Sequence, residues 1–405
     1  MSKCRICGGA VQEFFDFGRQ PVSDTFITPH NIGTEHFYRL AVGFCTSCSM
    51  VQQAEEVARE RMFPSDYPYR SSGSSVMRRH FERTARHFLE TELAGPDPFY
   101  VEIGCNDGIM LNSIGGAGVR HLGVDPAAEA AAVARAGGSR VRVAFFEEAT
   151  AAAVRLADGP ADLVFSANTI SHIAYIDSVF AGAAALLAPG GVFVFEDRYL
   201  GDILARAYFD QIYDEHFYLF SVRSVQAMAE RFGFELVDAA HLTVHGGAMR
   251  YTVARAGERP PAPAVAELLA QERRRCLAEP STYQDFATTI DSNCEQLKAL
   301  LASLRAEGRT VVGYGATSKS ATVTNYCGIG PELIPFICDS TPEKQGRMTP
   351  GSHIPIRPPA AFRDPYPDYA VLFAWNHAEE IMAKEQDFRE AGGKWILYVP
   401  EVQTV

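Results

Sequence analysis

The sequence predicts a doubly wound α/β protein with a small metal-bound module at its front, and three observations predict it. Two C-x-x-C pairs, Cys4/Cys7 and Cys45/Cys48, fall within the first 48 residues; strand-like and helix-like segments alternate from Asp97 onward; a second strand-turn-helix run opens near Thr310. Alternation of this length implies a mainly parallel sheet with helices on both faces.

The cysteine pairs come first. A tetrahedral site needs four thiolates about 2.3 Å from one ion, and a C-x-x-C turn sets two sulfurs side by side with backbone amides aimed at them. Gly8 and Gly9 follow the first pair, where a chain wrapping a metal needs positive φ. Cys105, Cys276, Cys294, Cys327 and Cys338 are scattered singly. Cys4, Cys7, Cys45 and Cys48 therefore read as ligands of a structural Zn2+, with a disulfide or redox pair as the alternative. A chain of 405 residues suggests two or three domains, and 47% apolar residues supply their cores. No run approaches the roughly 18 apolar residues of a membrane span, and the start carries no signal-peptide pattern, so the expectation is a cytoplasmic protein without a membrane partner. A net charge of -12 would repel a polyphosphate backbone, which sets nucleic acid aside as a partner.

The remaining elements follow in order. Met77 to Glu92 has apolar residues at helical spacing, and F-Y-V-E-I-G then reads as a strand. A helix near Ile109, the strand H-L-G-V-D, an alanine-rich helix from Ala127 to Ala136, and the strands A-D-L-V-F-S and G-V-F-V-F-E continue the pattern. Arg255 to Pro263, R-A-G-E-R-P-P-A-P, reads as a linker. Helices are expected over Ala264–Glu279 and Tyr283–Arg305 before T-V-V-G-Y-G-A-T-S-K-S starts a third, Rossmann-like unit. The expected division is 1–75, 76–255 and 264–405.

V-E-I-G-C-N-D-G, Val101 to Gly108, follows the first strand of the central unit. Gly104 and Gly108 would let the turn approach a ligand, although G-x-x-x-G departs from the dinucleotide spacing. Asp125 ends the next strand, where an acidic group can accept both hydroxyls of a ribose. Glu102 is a strand carboxylate that needs a partner, either loop amides or a ligand ammonium. The plainer alternative is a tight strand-helix turn with a capping Asp. A second cluster, F-D-Q-I-Y-D-E-H-F at 209–217, gathers Asp210, Tyr213, Asp214, Glu215 and His216, and His172 lies in A-N-T-I-S-H-I. A His beside carboxylates can act as a general base, and a Tyr can donate to an oxyanion. The plainer alternative, a polar helix start with a solvated charge run, explains Asp214 quite well. V-H-G-G-A-M-R-Y places His245 and Arg250 around two glycines, as an anion site or a plain β-turn.

With L-A-P-G-G-V-F-V-F-E at 187–196, the glycine loop and Asp125 resemble class I S-adenosylmethionine-dependent methyltransferases. That resemblance implies a cofactor site built from Glu102, Gly104, Asp107, Gly108, Asp125 and Asn168, with Phe145 or Phe146 beside the adenine. Taken over nearly its whole length, the chain closely resembles the sugar C-methyltransferases of bacterial deoxysugar biosynthesis. The zinc knuckles, Y-P-Y-R-S-S at 67–72, V-E-I-G-C-N-D-G, N-T-I-S-H, I-Y-D-E-H-F, H-G-G-A-M-R, G-Y-G-A-T-S-K-S, K-Q-G-R-M-T-P-G-S-H-I-P-I and A-W-N-H occur in order. The resemblance implies a nucleotide-linked, dTDP-type 4-keto-6-deoxyhexose as substrate, methylated at the carbon beside the ketone, carbon 3. By matching position His216 would be the base, supported by Glu215, with Tyr213 and His172 donating to the carbonyl or enolate. Tyr67 and Tyr69 would fold over the site, and His245, Arg250, Lys319, His353 and Asn376 would hold the nucleotide sugar. Three departures stand out: D-E-H replaces H-E-H, which would raise the base's pKa through Asp214; Ala248 replaces a serine in H-G-G-S-x-R; and Ser320 replaces a glycine after Lys319. The rival enzyme is an NADPH-dependent ketoreductase of the same ketosugar, alone or as an added activity, and the non-enzymatic rival is a zinc-knuckle interaction module. Oligomeric state is open, with a monomer expected.

Overall fold

The computed structural model describes residues 3–63, 67 and 70–405. Strands β1 (Val11–Pro21), β2 (Phe37–Cys45) and β3 (Val51–Gln53) form an antiparallel sheet at the front of the chain. Its fourth strand, Tyr218–Leu219, comes from the middle of the sequence and pairs Val51 with Leu219. The two cysteine knuckles lie at the end of this sheet, so the segment just after D-E-H is hydrogen-bonded into the metal module.

Helix Ser75–Glu90 follows, its first turn capped by the Ser74 side chain, which accepts from the Met77 amide. The central sheet then comprises β4 (Phe99–Ile103), β5 (Arg120–Asp125), β6 (Val141–Val143), β7 (Ala161–Ala167) and β8 (Leu187–Arg198). After β9 (Tyr218–Leu219, the strand already met in the first sheet) it is completed by β10 (Phe234–Leu242) and β11 (Ala248–Arg255). The order is β10-β11-β8-β7-β4-β5-β6, with β4 to β8 parallel and β11 antiparallel to both its neighbours. Strand order reverses at β4, so the crevice at the carboxyl ends of β4 and β7 is where such a sheet receives a ligand. β4, F-Y-V-E-I, is buried along its whole length, which is why Glu102 lies in an apolar strand.

Helices Pro263–Arg274 and Pro280–Ala306 lead into a third sheet. It contains β12 (Val311–Tyr314), β13 (Ile337–Cys338), β14 (Ile356–Arg357), β15 (Tyr369–Leu372), β16 (Lys394–Leu397) and β17 (Gln403–Thr404), in the order β14-β13-β12-β15-β16-β17 and parallel apart from β17. The expected linker is pinned, the Ala262 amide donating to the Val237 carbonyl at 2.7 Å. Glu272 on the first of these helices accepts from Tyr199 and from the Val222 and Arg223 amides at 2.6–3.0 Å, tying that helix to the central unit. The long second helix carries Tyr283, which stacks on Phe44 of β2 at 4.6 Å between ring centroids. One continuous core of Phe15, Phe17, Leu40, Tyr283, Leu297 and Ile337 therefore joins the metal module to the third unit. Among the described residues, no helix is long and apolar enough to cross a membrane.

Candidate active site

A cavity of about 250 Å³ opens at the carboxyl ends of β4, β5, β7 and β8 and is closed from the far side by Asp24, Tyr67 and the start of helix Ser318–Tyr326. The β4 turn forms its floor. Gly104 has φ +70°, and a Cβ there would meet Thr169 Oγ1 at 2.3 Å, so only glycine lets the chain pass. The Asn106 and Ala127 amides both donate to Asp125, each at 2.8 Å. Burial pushes the Asp125 carboxyl up, while those two amides pull it back toward the ionised form. Its remaining lone pairs can accept ligand hydroxyls. Glu102 also lines the cavity, and burial pushes it up to about 8 despite a hydrogen bond from Tyr100 Oη at 3.1 Å. A carboxyl held so far from water suits a cationic ligand group. Phe145 lies under the Arg59 guanidinium at 4.2 Å, and Asn168, at φ +51°, accepts from Arg198 at 2.7 Å. These residues fit S-adenosylmethionine. Asp125→Ala is expected to weaken S-adenosylmethionine binding by about tenfold to a hundredfold in calorimetry, the scale of one hydrogen-bonding charged group.

Two expected cofactor residues lie elsewhere. Gly108 has φ +79°, and its missing Cβ makes room for Ala134 at 2.7 Å, so it serves helix packing. Asp107 accepts from the Ser72 amide at 3.0 Å and does not reach the cavity wall. It fastens the segment after Arg70 to the cofactor loop.

The opposite wall holds the D-E-H segment in an order the sequence did not disclose. Tyr213 and Glu215 line the cavity, whereas His216 lies behind Tyr213 and is 1% exposed. His216 Nδ1 faces the Gln211 carbonyl at 2.5 Å, so that nitrogen carries the proton. Nε2 is left as an acceptor, and Tyr213 Oη donates to it at 3.0 Å. Burial, and then the Arg198 charge, hold His216 well below its usual pKa, so it is neutral. The expectation of His216 acting directly on substrate is thus corrected: Tyr213 meets the cavity and His216 receives from it. Glu215 does not support His216 either, since its two oxygens accept from Tyr67 Oη at 3.0 and 3.1 Å. Asp214 accepts from the Ser23 amide at 2.9 Å and is pushed up to about 7 by burial; it does not raise the base. His172 stacks between Phe63 and His216, is driven down to about 3 by burial and Arg198, and keeps a buried Nε2 without a partner.

Among the nucleotide-sugar residues, Tyr67, His245, Lys319 and Asn376 line the cavity. Tyr69 lies outside the described residues. The Asn376 Oδ1 is buried and unpartnered, as expected of a group awaiting a ligand. Arg250 is corrected: it pairs with Glu196 at 2.6 Å and donates to Thr84, inside a buried network that includes His80. His353 is corrected too, since its Nε2 pairs with Glu35 at 2.9 Å and fastens the P-G-S-H turn to the metal module. Sequence reasoning missed Asp24, Arg59, Arg198 and His377, which also line the cavity. Of these only Arg198 carried a signal, as a charge at the carboxyl end of a strand bordering the ligand crevice.

The metal centre lies apart from the cavity. The four sulfurs of Cys4, Cys7, Cys45 and Cys48 lie within 4.8 Å of one another, with Cys4–Cys48 at 3.6 Å and Cys7–Cys45 at 3.4 Å. A tetrahedron with 2.3 Å bonds has sulfur edges of about 3.8 Å, so the set fits zinc. The Gly9 and Ser47 amides each donate to a sulfur at 3.4 Å, completing the knuckles. Gln53, at the other end of β3, donates to the carbonyls of Tyr213 at 2.6 Å and His216 at 2.9 Å.

The antiparallel β11 inserted between β8 and β10 completes a sheet of class I methyltransferase type. Family models agree: a methyltransferase domain matches residues 77–239, a C-methyltransferase C-terminal domain residues 243–400, and a zinc binding domain residues 4–63. The C-methyltransferase NovU of Streptomyces niveus is 34% identical over 408 residues, spanning 100% of this chain and 97% of NovU. The chain belongs to this family of zinc-module C-methyltransferases and is an S-adenosylmethionine-dependent C-methyltransferase. A ubiquinone biosynthesis O-methyltransferase of Methylobacterium sp. (strain 4-46) is 32% identical over 104 residues, covering 24% of this chain and 42% of that protein. Among solved structures, a Clostridium acetobutylicum S-adenosylmethionine-dependent methyltransferase covers 44% of this chain and 92% of its own at 13% identity and a TM-score of 0.34. Magnesium protoporphyrin IX methyltransferase of Synechocystis PCC 6803 covers 45% and 88% at 11% identity and a TM-score of 0.35.

Proposed function

We propose that the enzyme methylates carbon 3 of a nucleotide-linked 4-keto-deoxyhexose, with dTDP as the nucleotide, through an enolate. The observation that carries this reading is the Tyr213–His216 pair, a phenol facing the cavity with a neutral imidazole nitrogen behind it at 3.0 Å. A carbon acid beside a ketone loses its proton only to a positioned base with the oxyanion stabilised. As the carbon proton passes to Tyr213 Oη, the phenol proton passes to His216 Nε2, and the net result is one proton moved from carbon to imidazole. His172, held neutral and with a buried Nε2 that has no partner, offers at most one neutral N–H toward the ketone oxygen. Glu102, Asp125, Asn168 and the Gly104 turn would hold S-adenosylmethionine, which supplies the methyl group when bound. Tyr67, braced on Glu215, covers the site and excludes water.

The third unit supplies the nucleotide-sugar side in this reading, and the working boundaries are 1–75, 76–255 and 264–405, acting as a cytoplasmic monomer. Lys319 and Asn376 are the residues we assign to the diphosphate and sugar. Burial lowers Lys319 to about 8, with Asp210 and Asp24 raising it and Arg198 and Lys344 opposing them. The ammonium is present below that pH and lost above it. Accordingly kcat/KM should fall as pH rises through about 8, and Lys319→Arg should move that limb upward, because a guanidinium stays charged. An unchanged limb in the variant would remove Lys319 from the assignment. The matched family models are all methyltransferase or zinc-module models, so NADPH-dependent reduction gains no support from them. Mass spectrometry of nucleotide 4-ketosugars incubated with S-adenosylmethionine, with and without NADPH, tests the whole reading. A gain of one methylene without NADPH is expected, and a gain of two hydrogens would replace methylation by reduction.

A further inference from the structure

We propose that Arg198 is a catalytic residue: its guanidinium meets the substrate's ketone oxygen and carries the negative charge as that oxygen becomes an enolate. This rests on the reading of the cavity as a ketone-methylating site.

Arg198 is the last residue of β8 and lines the cavity, as Gly104 and Tyr213 do. It forms no ion pair among the described residues, and its charge reaches the Asp197 and Glu215 carboxyls only at longer range. The two acids before it are engaged elsewhere: Glu196 by His80 and Arg250, and Asp197 by the Ser171 hydroxyl at 2.6 Å. Arg198 spends one N–H on a neutral acceptor, Asn168 Oδ1 at 2.7 Å, and its buried Nε has no partner at all. A cation with a buried, unsatisfied N–H costs free energy, and it is retained where an anion arrives during the reaction. Such a charge is worth most when it is fixed in place before the oxyanion forms.

The neighbouring groups cannot take over this task. His172, His216 and His245 are all held neutral, by burial first and by Arg198 among the charges around them, so each can offer at most a neutral N–H. Lys319 stands at the start of the third unit's helix, near Lys344, whose ammonium donates to the Ala316 carbonyl at 2.8 Å. That end of the cavity is the place for the diphosphate. Arg198 comes instead from the end of β8 and is hydrogen-bonded to Asn168, just past β7, beside which this reading places the reacting carbon. In the step concerned the C–H bond breaks, its electron pair forms the carbon-carbon double bond, and the carbonyl π pair moves to oxygen. The proton leaves through Tyr213 to His216 Nε2, while Arg198 donates a hydrogen bond and transfers no proton.

The test is solvent deuterium exchange at the carbon beside the ketone of a dTDP-4-keto-6-deoxyhexose, with S-adenosylhomocysteine bound so that no methyl can be transferred. Wild type should exchange. Arg198→Met should exchange about 10²- to 10³-fold more slowly, the usual loss for one oxyanion donor, at nearly unchanged KM for the sugar. Arg198→Lys, which keeps the charge, should fall between them, and this comparison holds even if the methionine variant is destabilised. Exchange at the wild-type rate in both variants overturns the assignment. So does a raised KM at unchanged kcat, which would make Arg198 a diphosphate ligand. No exchange in wild type would overturn the enolate reading itself, and the role of Arg198 with it.

Discussion

Tyr213→Phe is expected to lose methyl transfer by about 10²- to 10⁴-fold, the range for removing a positioned proton-transfer group, while S-adenosylmethionine binding stays at its wild-type value. The reason is geometric. Tyr213 is the member of the pair that lines the cavity, and His216 lies behind it, 4.1 Å away between ring centroids. Phenylalanine keeps the ring and deletes only the path by which a proton enters His216. It also leaves Nε2 as a buried acceptor without a partner, at a cost of about 1–3 kcal/mol in stability. A thermal melt separates that loss from the catalytic one. Because the two side chains act in series, the double variant Tyr213→Phe/His216→Ala should be no slower than the worse single variant. Additive losses would mean that His216 works on substrate independently.

Removal of zinc is the second large effect. Chelation, or Cys45→Ser, should lower the thermal midpoint sharply and abolish activity together. The binding free energy of a structural zinc is on the order of 10 kcal/mol, comparable with the whole stability of a domain. Its loss reaches the active site by a definite route. The knuckles end the sheet whose third strand pairs with β9, and Gln53 on that strand holds the carbonyls of Tyr213 and His216. The Glu35 clasp on Gly351 and His353 would loosen at the same time. With four sulfurs filling the coordination sphere there is no open position for chemistry. A chelated protein that kept both its melting temperature and its turnover would contradict a structural role for the metal.

The fold was legible in the sequence because its signals are local. Strand-helix alternation, the glycine turn before Asp125 and the two cysteine knuckles each depend on residues close together in the chain. The site was legible only in part. Tyr213 and His216 stand three residues apart, which places them in one turn but does not say which faces the ligand. Arg250 looked like an anion binder because it sits near glycines, and His353 was implied by the resemblance alone, yet Glu196 and Glu35 pair with them from other elements. Gly108 showed the same ambiguity, since a glycine needed for Ala134 looks no different from one needed for a cofactor. Asp24 and Gln53 gave no signal at all, as their importance comes from a front module folded back onto the middle of the chain.

The most direct measurement uses S-adenosylmethionine carrying a 13C methyl group and locates the label in the product by NMR. The account predicts a methyl carbon bonded to the ring carbon next to the ketone of the nucleotide sugar, with that carbon's original hydrogen lost to solvent. A labelled methyl on oxygen or nitrogen, or a product that gains hydrogen and no label, would contradict it.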